Sequence, residues 1–182
     1  EVRNSFDKIL KVLEEANKRL PDDADVLSAL GDACFEAGLP ERARAAYQAI
    51  VDRDPRDADA LVSLGLVHFH QERIDQAEQC YRKALALEPD SVFAWHSLGD
   101  VCFAQGRVDE ARQCFEKALE LDPLQGWSYS ILSKAYESIG QFREAEINSR
   151  KGFEINNQFS KNGNEVTFAS IGNASTSEGM FW

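Results

Sequence analysis

The residues best able to do chemistry in this 182-residue sequence are three histidines, four cysteines and the acids near them. His68 and His70 stand two apart, so on a helix they point to different faces and cannot share a metal ion. His70, His96 and Asp100 are the one trio whose types suit metal binding or proton sensing near neutral pH. Their simpler role is as polar contacts on a binding surface, and that role is expected here. Cys34, Cys80, Cys102 and Cys114 contain no C-x-x-C pair and fall inside helical patterns, which predicts reduced core thiols in a cytoplasmic compartment. No Gly-rich phosphate loop and no Ser or Cys nucleophile arrangement is present, so the sequence predicts neither an enzyme nor a cofactor or metal site.

Charge narrows the partners. Twenty Lys and Arg against 31 Asp and Glu give a formal net charge of -11, which repels a phosphate backbone and argues against DNA or RNA. A neutral or basic partner fits better. No apolar run approaches the ~18 residues of a membrane span. No Met precedes Glu1, and no basic stretch with an apolar core follows it, so any signal peptide is expected to be absent or already removed.

The elements that carry these side chains follow one clock. Gly31, Gly65 and Gly99 are 34 residues apart, as are Ala43, Ala77, Ala111 and Ala145; Tyr47, Tyr81 and Phe115; and Pro21, Pro55, Pro89 and Pro123. A fixed period of this length means stacked structural repeats. Within one period, Phe93, Trp95, Leu98, Cys102 and Phe103 form a helical stripe, Gly106 supplies a left-handed end, and Val108, Ala111, Cys114, Phe115 and Ala118 form a second stripe that stops before Pro123. Small Gly99 and Ala111 allow the two helices to approach, with Phe115 filling the space beside them.

The order Trp95, Leu98, Gly99, then Ala111 and Phe115, then Pro123 resembles the tetratricopeptide repeat family, departing where Cys102 replaces a Tyr. That resemblance implies an all-α, right-handed solenoid of helix-turn-helix units. Repeats are expected at 24–57, 58–91, 92–125 and 126–159, with 1–23 as the second helix of a truncated unit and 160–182 as an irregular tail. In the last repeat Ser133 replaces the Gly, Ser149 the aromatic and Asn157 the Pro, as expected of a degenerate terminal cap. In the amino-terminal helix Val2, Phe6, Ile9, Leu13, Ala16 and Leu20 form the expected docking stripe, leaving Leu10 and Val12 outside it.

In this family the first helix of each repeat lines the concave side. On a helical wheel, the positions opposite the packing residues carry Phe35, Val62, Leu66, Phe69, His70, Phe93, His96, Asp100, Phe103, Trp127 and Lys134. Their apolar middle and acidic borders predict a groove for a protein or peptide segment that is apolar and neutral or basic. Some relatives clamp an acidic chaperone tail with basic groove residues, but only Lys134 is basic at the equivalent positions here, so that ligand is not expected. The expected function is a non-catalytic interaction scaffold. The alternatives are a recruiting or regulatory segment of a larger enzyme or secretion assembly, and a self-associating module using residues 1–23 or 160–182. The apolar Phe168, Ile171, Met180, Phe181 and Trp182 give that tail a means of filling the groove itself.

Overall fold

In the computed structural model the described residues are 2–21 and 23–161. Nine α-helices and no strand occur among them: α1 Val2–Arg19, α2 Ala24–Glu36, α3 Pro40–Arg53, α4 Ala58–His70, α5 Ile74–Leu87, α6 Val92–Ala104, α7 Val108–Leu121, α8 Gly126–Ser138 and α9 Phe142–Lys161. The fold class is therefore the all-α solenoid of helix pairs. Residues 162–182, which hold nearly all of the expected tail, lie outside the described residues, and α9 runs two residues beyond the expected end of the last repeat.

Local sequence explains the helix limits. Asp23 and Asp57 cap α2 and α4 through side-chain bonds from the amides of Val26 at 3.1 Å and Ala60 at 2.8 Å. Helices α1, α3, α5 and α7 each end two residues before a proline, which cannot donate to a continuing ladder. Between paired helices the chain turns through left-handed Gly38, Gly106 and Gly140, with φ of 72°, 74° and 78°. Glu72 takes that conformation at φ 58° in the remaining pair, so the turn is a property of the repeat that glycine merely eases.

The chain contacts itself as two compact units, residues 1–101 and 102–182. In the first unit α1 packs on α2, α2 on α3, α3 on α4 and α4 on α5. Its core joins Leu10, Leu27, Cys34, Tyr47, Ile50, Leu64, Val67 and Cys80. The helices cross closely: a Cβ on Gly31 would lie 2.6 Å from the Tyr47 ring, and one on Gly65 2.7 Å from Tyr81. Leu10 corrects the expected stripe. It is 6% exposed and part of the core, whereas Ile9 is 45% exposed. The inward face of α1 keeps Phe6 and Leu13 of the expected stripe but takes Leu10 in place of Ile9, and Arg42 of α3 pairs with Glu14 beside it. Val12 is exposed, as its place off the stripe predicts.

In the second unit α7 packs on α8 and α8 on α9, burying Ala111, Cys114, Phe115, Ala118, Leu119, Leu132, Ala135 and Ala145. Two of the three departures of the last repeat compensate each other. Ser133 needs room for a Cβ that a ring at position 149 would deny it, and Ser149 supplies no ring. The Ser133 hydroxyl instead donates to the carbonyl of Ala145 across the pair at 2.8 Å. Further along, Gly126 and Gly152 bring α8 and α9 together so closely that a Cβ on Gly152 would lie 2.9 Å from the Gly126 oxygen.

Candidate functional site

Helices α2, α4 and α6 carry the expected contact residues of the first unit. The ring of Phe35, at the end of α2, meets His70, at the end of α4, edge-on with centroids 4.9 Å apart and planes at 68°. Phe69 meets the same imidazole at 6.3 Å and 83°. All three are half-buried, so each presents an edge to solvent while its body packs on the unit. Phe35 also rests on the core, and wedging between helices is thus part of its role. Leu66 and Phe93 are half-buried too. Loss of water around His70 lowers its pKa, so near neutral pH the cluster is an uncharged, three-ring edge.

Two expected contact residues are not on offer. Val62 and His96 are both buried, because α4 and α6 are covered over more of their circumference than a one-faced wheel allows. Val62 is core. His96 places Nδ1 3.3 Å from Oδ2 of Asp100 one turn on. Burial pushes His96 down to about 3 and Asp100 up to about 7, so both neutral forms are favoured. The Asp100 side chain keeps 33% exposure, and its charge adds to the burial that raises the pKa of Tyr81 on α5. The trio of His70, His96 and Asp100 does not act as a unit in metal binding: His70 is engaged with phenylalanines, and among the described residues no group of three or more His, Cys, Asp or Glu side chains could hold a metal ion. His68 is a buried core residue, as its place in the repeat predicts, and all four cysteines are buried thiols outside any disulfide.

In the second unit Phe103 and Trp127 are half-buried and Lys134 is exposed. Sequence reasoning missed the largest apolar exposure among the described residues of this unit, on α9. Phe142 and Phe153 are 71% and 68% exposed and border an open groove of about 590 Å³ with Glu137, Ala145, Glu146, Ser149 and Arg150. Their spacing of eleven residues, three helical turns, was the available signal. Elsewhere on this unit Lys151 lies over the Tyr129 ring at 5.9 Å, and Tyr136 donates to Glu116 at 2.5 Å beside Arg112.

No helix among the described residues is long and apolar enough to cross a membrane. Comparison with known structures places a crystal structure of MamA at 26% identity and a TM-score of 0.77, covering 88% of this chain and 94% of that one. A second MamA crystal structure matches at 26% identity and 0.73, covering 88% and 87%. MamA 41-end from Desulfovibrio magneticus RS-1, at 20% identity and 0.76 over 86% and 88%, shares the fold. Among curated proteins none matches the sequence. Two family models, each described as tetratricopeptide repeat, match residues 3–65 and residues 56–123 and 90–158. With these matches running through α1 to α9, the chain belongs to the tetratricopeptide repeat family.

Proposed function

We propose that this chain is a non-catalytic module that takes an apolar, neutral or basic segment of another protein on the exposed edge formed by Phe35, Leu66, Phe69, His70 and Phe93. A protein-interaction role in general follows from the family and its MamA-like neighbours. The observation that carries the finer reading is the edge-to-face cluster of Phe35, His70 and Phe69, which keeps apolar surface at the solvent boundary with its imidazole uncharged. Aromatic edges held in place by packing give contact area at little cost in conformational entropy. Exposed Asp32, Glu36 and Asp59 belong to the same helices and disfavour an acidic ligand. Phe103, Trp127 and Lys134 are proposed as contacts of the second unit. Buried reduced thiols support a cytoplasmic setting.

Selection from a displayed random peptide library tests this reading. Wild-type protein should enrich peptides rich in apolar residues with zero or positive net charge, and Phe69→Glu should lose them while retaining its helical circular dichroism. Enrichment of acidic peptides, or the same peptides captured by Phe69→Glu, would overturn it.

A second reading, self-association, draws on α1. Ile9 and Val12 on that helix and Leu20 just past its end leave an exposed apolar edge, which a copy of this chain could cover.

A further inference from the structure

Helix α9 turns a face of Phe142, Ala145, Glu146, Ser149 and Phe153 to one side, at the i, i+3, i+4, i+7 and i+11 positions of a single stripe. Two large aromatic side chains more than two-thirds exposed, flanking an open groove on one helix, form an apolar surface of the kind that is normally covered. The groove has a sequence cause. Ser149 stands one period after Phe115, where the earlier repeats carry a buried ring, so the volume of that ring is missing between Phe142 and Phe153.

We propose that the segment of this chain following α9, residues 162–182, folds back and covers this face, with Phe168 and Ile171 entering the space that Ser149 leaves. The segment begins where the helix ends. Phe153 and Phe142 lie eight and 19 residues before Lys161, or ~12 and ~29 Å back along a helix rising 1.5 Å per residue. Phe168 and Ile171 lie seven and ten residues beyond Lys161, a reach of ~23 and ~33 Å in an extended chain. If the chain reverses after Lys161, the two apolar side chains therefore meet the two rings in the same order and have reach enough to span the ~12 to ~29 Å stretch between them. Charge agrees with this placement. Residues 162–182 hold Glu165 and Glu178 and no Lys or Arg, while α9 holds Arg143, Arg150, Lys151 and Lys161 against Glu144, Glu146 and Glu154. Attachment to the same helix supplies an effective concentration on the order of millimolar, which suffices for a contact of a few apolar side chains. The tail's other expected location was the repeat groove. The α9 face is nearer in the chain and has exposed rings of its own, and the proposal stands independently of the function proposed above.

Amide hydrogen exchange on the full chain tests it, with a synthetic peptide of residues 162–182 as reference. Amides of residues 165–171 should exchange at least fivefold more slowly in the protein than in the peptide. Phe142→Ser/Phe153→Ser should return them to peptide rates, and the exposed-leucine control Leu124→Ser should not. Phe168→Ser, which changes no residue of α1 to α9, should release the segment equally and keeps the test valid if the serine pair perturbs α9. Light scattering should give a monomer mass independent of dilution while protection persists. Peptide-like rates in the wild-type protein would overturn the proposal. So would protection that disappears on dilution as a dimer mass falls to a monomer, which would assign the face to a second copy.

Discussion

At Gly31 and Gly65 a hydrogen is all that fits, because a tyrosine ring occupies the place of a Cβ in each case. In an exposed helix, Gly to Ala stabilises by up to about 1 kcal/mol. Here the sign reverses: Gly65→Ala must push the Tyr81 ring out of its buried seat and is expected to cost about 1–3 kcal/mol, read as a lowered urea midpoint. The pair of buried His96 and half-buried Asp100 gives a second expectation. Asp100 is raised from 3.8 to about 7, so its contribution to stability is full below pH 3.8 and is lost as pH rises toward 7. His96 is lowered from 6.5 to about 3, so its contribution is full above pH 6.5 and is lost as pH falls toward 3. Between 3.8 and 6.5 the two slopes oppose each other. Asp100→Asn removes one of them, and the variant should gain stability relative to wild type steadily from pH 4 to 7. Urea midpoints across that range check the sign, and a constant difference would show that Asp100 titrates as an exposed carboxylate.

The helix pairs were legible because the forces that form them are local and repeat: a small residue opposite a ring, a capping Asp, a left-handed turn, a proline past the end. Helix α1 shows where that legibility stops. Its sequence permits either Ile9 or Leu10 beside Phe6 and Leu13, and the choice is made by packing on α2, with Arg42 paired to Glu14 alongside, neither of which a wheel contains. Leu10→Ala is accordingly expected to cost about 2–5 kcal/mol, whereas Val12→Ser should be nearly silent in urea unfolding. Equal losses would return α1 to the stripe read from sequence. Val62 and His96 were misplaced for a related reason. A wheel separates packing from solvent as two faces, but a helix with neighbours on several sides buries residues on both, as α4 does from Ala58 through His68. The exposed rings of α9 went unread because Ser149 registered only as a missing aromatic, not as the opening beside Phe142 and Phe153.

Across the whole chain, one period places side chains of the same kind at equivalent places, and departures from the period mark what is left for binding. The histidines are core, ring-stacked or paired with Asp100, and the thiols are buried. With a net charge of -11, long-range attraction favours a basic or neutral partner and weakens as salt rises. The most direct test of the central claim is the affinity, by isothermal titration, of an apolar peptide enriched on the wild-type protein. The account predicts at least a tenfold loss with Phe69→Glu and no change with Leu124→Ser, both variants keeping the wild-type circular dichroism. An unchanged affinity in Phe69→Glu would contradict it and remove the Phe35, His70 and Phe69 edge as the binding surface.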